Sequence, residues 1–163
     1  MRILYLLRHA KSSWKDETLS DFDRPLKGRG RKAAEHMGQV LAEEKLKSPL
    51  VISSPAVRAR ETAELVLESA DLGVEPRFDE RIYEADVRTL LEVVRSIPAS
   101  ANTAIMVGHN PGFENLLNYF TGDGRHMPTC GLAKIEFDAA SWNEVAEETG
   151  RLEMFVKPRD FED

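Results

Sequence analysis

The chain has 163 residues, 42% of them hydrophobic and 31% charged, which suits one globular unit able to bury its own core. Its formal net charge of −6 works against general attraction to nucleic acid or to an anionic membrane surface, and no stretch approaches the roughly 20 apolar residues that a membrane span requires. The single Cys130 has no partner for an intrachain disulfide, so the expectation is a reduced, cytoplasmic protein with a buried thiol.

The run Ile3-Leu4-Tyr5-Leu6-Leu7 has strand length, stops at Arg8-His9 and lacks a small-residue cleavage site, so it reads as a buried strand rather than a signal peptide. A polar loop through Trp14, Asp21 and Pro25 follows, then a helical pattern with Ala33, Met37, Val40 and Leu41 on one face. Lys27, Arg29, Arg31 and Lys32 crowd the start of that helix, where the macrodipole is already positive. They read as a solvated stripe or as a face for an anionic partner. Leu50-Val51-Ile52 is a second buried strand, and Ser54-Pro55 offers an N-cap and a first-turn proline to the helix carrying Leu65 and Val66.

Residues 74–78 are long enough for a short third strand. Asp86 caps a helix whose stripe is Val87, Leu90, Leu91 and Val94, and Pro98 ends it. Residues 104–107 form another buried strand, leading through Gly108-His109-Asn110 to Pro111 and a helix with Phe113, Leu116, Leu117 and Phe120 inside. Residues 132–137 and 152–156 look like strands near the sheet edge, separated by a polar segment around Trp142. Without repeats or linkers, residues 1–163 read as one domain: a three-layer α/β sandwich with a mainly parallel central sheet flanked by helices.

In open α/β sheets the ligand crevice lies beyond the carboxyl ends of the strands. Three polar clusters fall there: Arg8-His9 after the first strand, Arg58 in the helix opening after Ser53-Ser54-Pro55, and His109 after the strand ending at Val107. Two histidines and two arginines suit phosphoryl transfer, because the transferring group keeps charge on its equatorial oxygens and needs fixed donors there plus an in-line nucleophile. Arg8 and Arg58 supply bidentate donors, neutral His9 attacks phosphorus, and His109 donates from the opposite side.

Leu7-Arg8-His9-Ala10, Ser54-Pro55-Ala56-Val57-Arg58-Ala59 with Thr62-Ala63, and Val107-Gly108-His109 resemble, in order and spacing, the three signature segments of the histidine phosphatase superfamily. The likeness runs from residue 2 to about residue 137. More narrowly, Arg8-His9-Ala10-Lys11-Ser12-Ser13-Trp14, Asp23-Arg24-Pro25-Leu26 followed by Gly30, and Pro128-Thr129 resemble short phosphohistidine phosphatases of the SixA type. That resemblance implies the phosphoglycerate mutase-like fold and His9 as nucleophile, with Arg8, Arg58 and His109 as the phosphate pocket. It also implies no metal or organic cofactor, and a phosphorylated protein side chain or small phosphate ester as substrate. Ala10 and Lys15 stand where broader members carry a Gly and a phosphate-touching Asn.

Asp79-Glu80-Arg81-Ile82-Tyr83 resembles the Glu-Arg-x-Tyr segment that supplies the proton donor in related mutases, which makes Glu80 the expected general acid and Glu84 the runner-up. Lys11, Lys15 and Arg24 are expected along the substrate rim. A thiolate mechanism fails because no Arg follows Cys130 within a phosphate loop, and Asp21-Phe22-Asp23 lacks the preceding apolar strand of an aspartyl-phosphate enzyme, leaving it a turn or hydrogen-bonding role. No histidine pair has metal-ligand spacing, and His36 and His126 read as helix-surface and loop residues. A binding module that retains phosphorylated partners without hydrolysing them is the alternative. A phosphomutase, which needs a caged site, is the remaining one.

Overall fold

The computed structural model describes residues 1–158 of the chain. Strands β1 (Arg2–Arg8), β2 (Leu50–Ser53), β3 (Arg77–Phe78), β4 (Thr103–Gly108), β5 (Leu132–Phe137) and β6 (Gly150–Val156) make one sheet in the order β3-β2-β4-β1-β5-β6. The first four positions in that order are parallel; β5 runs antiparallel to β1 and β6 antiparallel to β5. Helices α1 (Gly28–Ala42), α2 (Val57–Ala70), α3 (Val87–Arg95) and α4 (Gly112–Thr121) cover it.

The apolar run at the N-terminus becomes the middle of the sandwich because its alternate residues are wanted on both faces. Leu4 and Leu6 join the core under α3 and α4, with Leu90, Val94, Phe113, Leu117 and Phe120. Tyr5 and Leu7 point into the other core, under α1 and α2, with Met37, Leu41, Ala63 and Val66. This is the three-layer architecture anticipated from the pattern.

Several local expectations need correction. The buried face of α1 is Gly30, Ala34, Met37, Gly38 and Leu41, while Ala33 and Val40 are only partly buried: two glycines, which carry no hydrophobic signal, make the close approaches, Gly38 to Val66 and Ser69 of α2 and Gly30 to the backbone of Lys11. Ser54 does not cap α2, whose N-cap is Ala56 without a side-chain bond; Asp86 does cap α3, accepting from the Thr89 N–H. The third strand is only two residues long. Trp142, in a polar stretch, is buried, donating its indole N–H to the Ala101 carbonyl. Cys130 is free and buried, and burial pushes its thiol up to about 12, so it stays protonated.

Because β1 and β4 are parallel and in register from Ile3↔Thr103 to Arg8↔Gly108, both end at the same edge, and His9 and His109 follow immediately. The His9 N–H donates to the Gly108 carbonyl at 2.9 Å, and the His9 carbonyl accepts from the Cys130 N–H at 2.9 Å. A Cβ at Gly108 would lie 2.5 Å from the Phe113 ring and 2.8 Å from Ile82, so the strand end carrying His109 has no room for a side chain there.

Candidate active site

His9, Arg8, Arg24, Arg58 and His109 line one open cleft of about 360 Å³ at that edge, with Lys11, Ser12, Trp14 and Lys27 on its border. Four of the five predicted catalytic residues are therefore brought together from three separate segments: the end of β1, the first turn of α2 and the loop after β4. The two imidazoles lie with ring centroids 5.2 Å apart.

His9 is held in one tautomer. Its Nδ1 lies 2.7 Å from the Ala10 carbonyl oxygen, which can only accept, so the proton sits on Nδ1 and the lone pair on Nε2. The Ala10 N–H in turn donates to Thr62 Oγ1 at 2.9 Å, and that hydroxyl donates to the Arg58 carbonyl at 2.7 Å. One threonine thus ties the nucleophile loop to the helix that carries Arg58. Burial lowers the His9 pKa to about 4; the positive charges of Arg58, Arg8 and Arg24 push the same way, against the Ala10 bond. The imidazole is neutral at pH 7.

His109 receives similar treatment. Ser54 Oγ lies 2.7 Å from its Nε2 and accepts from the Ala56 N–H. The hydroxyl proton has no other acceptor among the described contacts, so it goes to Nε2 and the ring carries its own proton on Nδ1. That Nδ1 is buried and without a partner. Burial, then the charges of His9 and Arg58, lower the His109 pKa to about 3.

The arginines complete the cradle. Arg8 donates to the Met127 carbonyl at 3.0 Å. Arg24 is buried, not a rim residue: it donates to Ser12 Oγ at 2.7 Å and packs its guanidinium 3.5 Å from the centre of the Trp14 ring. Arg58 donates to both the backbone and the carboxylate of Asp21, at 2.7 and 3.0 Å. Yet the Nε atoms of Arg8, Arg24 and Arg58 are buried with no partner. Arg2 Nε, at the far end of β1, is in the same condition, so what suits an anion with several acceptor oxygens is the convergence of three guanidinium groups and His109 on one cleft rather than these closed-off atoms.

Asp21 is the residue whose position sequence reasoning left unresolved. Its carboxylate holds Arg24 at 3.1 Å and Arg58 at 3.0 Å, and accepts from the Tyr83 hydroxyl at 2.6 Å. The Tyr83 bond, followed by the two arginines, holds Asp21 down at about 2 against its partial burial. Tyr83 is raised to about 12 by burial and by that same bond, and its ring meets His109 edge-on at 5.4 Å. From the Glu-Arg-x-Tyr segment it is therefore the tyrosine that reaches the site. Glu80 lies exposed on the 3₁₀ turn Glu80–Ile82 and does not line the cleft; Glu84, also exposed, borders a neighbouring depression that includes His109 and Asn110. Lys15 is exposed and outside the cleft as well, whereas Lys11 borders it.

The Arg24-Pro25-Leu26 segment has a scaffolding reason to exist. Ser13 donates its N–H to the Pro25 carbonyl at 2.8 Å, Lys27 to the Lys11 carbonyl at 3.0 Å, and Ser12 bridges Leu26. A Cβ at Gly30 would stand 2.1 Å from the Lys11 carbonyl oxygen, so only glycine lets α1 press on the nucleophile loop. Glu61 secures this corner by accepting from the Leu26 N–H at 2.8 Å and from Arg31 at 3.1 Å.

Residues 4–99 match the family model of the histidine phosphatase superfamily (branch 1). The chain belongs to that superfamily. An uncharacterized chloroplastic protein of Arabidopsis thaliana is 32% identical across 96% of this chain and 78% of its own length, and an uncharacterized protein of Mycobacterium leprae is 30% identical across 94% and 100%. Among solved structures, a protein of Agrobacterium tumefaciens named for the phosphohistidine phosphatase SixA superimposes with a TM-score of 0.81 at 28% identity, covering 96% of this chain and 98% of that one. The protein histidine phosphatase SixA complexed with tungstate reaches 0.85 at 19% identity, covering 98% and 99%, and attests the shared fold.

Proposed function

We propose that this superfamily member is a phosphatase that hydrolyses phosphohistidine on proteins, or a small exposed phosphomonoester, through a phosphoryl group carried on His9 Nε2. The observation that carries the reading is the convergence of Arg8, Arg24, Arg58 and His109 on one cleft around a neutral, tautomer-locked imidazole. Asp21 pairs with Arg24 and Arg58, Arg8 feels Glu114 without an ion pair to it, and Lys11 and Lys27 stand on the border, so the cleft holds excess positive charge that a phosphoryl dianion neutralises.

In the first step His9 Nε2 forms a bond to phosphorus as the bond from phosphorus to the substrate's leaving nitrogen or oxygen breaks, with Arg8, Arg24, Arg58 and His109 around the equatorial oxygens. The leaving imidazole of a phosphohistidine takes its proton from solvent more readily than an alkoxide does, which fits a cleft where Glu80 stands aside. In the second step water attacks phosphorus, the bond to Nε2 breaks, and inorganic phosphate leaves. An open cleft admits that water, which favours hydrolysis over a mutase cycle. The reading includes independence from metal and organic cofactors.

Rapid-quench mass spectrometry with acetyl phosphate or p-nitrophenyl phosphate in EDTA tests this. An acid-labile adduct on the His9 peptide, lost in His9→Ala, is the expected result. Turnover independent of His9 would refute the mechanism, and tight phosphopeptide binding without phosphate release would make the chain a binding module.

A further inference from the structure

Beside the cleft, and sharing Lys11 and Thr129 with it, lies a larger groove of about 800 Å³. It gathers Arg29 from the start of α1 and Arg125 from the loop after α4. With Lys11 these make three cations. The carboxylate among its lining residues, Asp123, is bound to Arg125 at 2.7 Å. In a chain of net charge −6 this is a local reversal of sign. Ala33, Pro128 and Phe155 supply an apolar strip along the same walls, with the Arg125 guanidinium 4.7 Å from the centre of the Phe155 ring.

Size and chemistry narrow the occupant. The His9 cleft, at about 360 Å³, already has room for a phosphoryl group and the ring or chain attached to it, since small-molecule sites begin at roughly 300 Å³. The groove is therefore surplus to a small ester. Its cations ask for several carboxylates spread along a length, and its apolar strip asks for aliphatic side-chain stems between them. We propose that this groove binds the acidic polypeptide segment flanking the phosphorylated residue of a protein substrate, an inference that rests on the phosphatase reading above. Lys11 and Thr129, common to both depressions, mark where the segment passes from one to the other.

The test uses two short phosphohistidine peptides, one with Asp and Glu beside the phosphorylated residue and one with Asn and Gln there, together with their unphosphorylated forms. Wild type and the double variant Arg29→Gln, Arg125→Gln are compared by kcat/KM for phosphate release and by fluorescence anisotropy for binding of the unphosphorylated peptides at low salt. Wild type should favour the acidic peptide about ten-fold in both readings, the sum of several exposed charge pairs each weak alone, and the double variant should favour it less than about two-fold. Taking the ratio within each enzyme cancels any general loss of activity. No preference in wild type, or an undiminished preference in the double variant, would overturn the groove assignment while leaving the phosphatase reading intact. Selective binding of the acidic peptide with no phosphate release would do the reverse.

Discussion

The cleft around His9 and the groove around Arg125 adjoin, and both are cationic, but their charges work under different physics. In the cleft the Arg24 and Arg58 side chains are 9% and 8% exposed, fixed by Asp21 and shielded from salt. In the groove Arg125 is 46% exposed and balanced by its own Asp123. A buried guanidinium acts on its neighbours through a medium that screens poorly, so it can keep an imidazole neutral and hold an oxyanion in place. An exposed one is damped by water and counterions within about 10 Å and contributes selectivity in small increments. Under the proposed function, chemistry therefore belongs to the first region and recognition to the second.

That contrast is broken most severely at His9. His9→Ala should lower phosphate release by about 10⁴-fold or more, because without an imidazole no covalent step remains. Arg58→Lys keeps the charge but loses the planar fork, and should cost about 10²- to 10³-fold in kcat/KM, measured with the same aryl phosphate. If the lysine variant retained near-normal activity, point charge alone would suffice and the argument from bidentate guanidinium donors would fall.

The pH profile separates a buried from an exposed histidine directly. Activity should persist well below 6.5, the ordinary histidine value, and fall about ten-fold per pH unit only below about 4, where His9 protonates. Stability should respond earlier. His9 and His109 are depressed in the folded protein, so the unfolded chain binds more protons between about 4 and 6.5, and stability present above 6.5 is lost as the pH falls through that window. Equilibrium urea unfolding at several pH values would show whether the loss begins near 6.5.

Asp21→Asn should reduce kcat/KM about ten-fold, mostly through KM, by loosening Arg24 and Arg58 without touching the nucleophile. The Tyr83 hydroxyl should then ionise below about 12, with burial still holding it above its ordinary value, a spectrophotometric signature that general destabilisation would not produce. The smallest effect is expected at Glu80→Gln, within about two-fold for a phosphohistidine peptide; a large loss would restore this exposed carboxylate to the role its sequence context suggests.

How much of this was legible before folding depended on whether the signal was local. His9, Arg8, Arg58 and His109 each follow a short apolar run or open a helix, and the edge rule for α/β sheets places such residues together. Asp86 was readable as a cap because capping spans only three residues. Ser54 was misread for the same reason: its local context is that of a cap, while its partner, His109, is 55 residues away. Asp21 and Tyr83 are separated by 62 residues, and no pattern along the chain announces that pairing. Nor does Gly30 announce its role, since its role is the space it leaves for Lys11.

By itself the amino-acid sequence determined the alternation of strands and helices, the mainly parallel sheet, the two-sided burial of the first strand and the gathering of Arg8, His9, Arg58 and His109 at one sheet edge. These follow from periodicity and from short segments whose physics is complete within a few residues. Only the tertiary structure decided which carboxylate meets the arginines, which serine orients His109, that Arg24 is wall rather than rim, that Glu80 stands outside, and that cations from three distant segments share one groove. Those outcomes depend on distances between loops set by the packing of α1 and α2 on one face of the sheet and α3 and α4 on the other, a property of the assembled layers rather than of any stretch of chain.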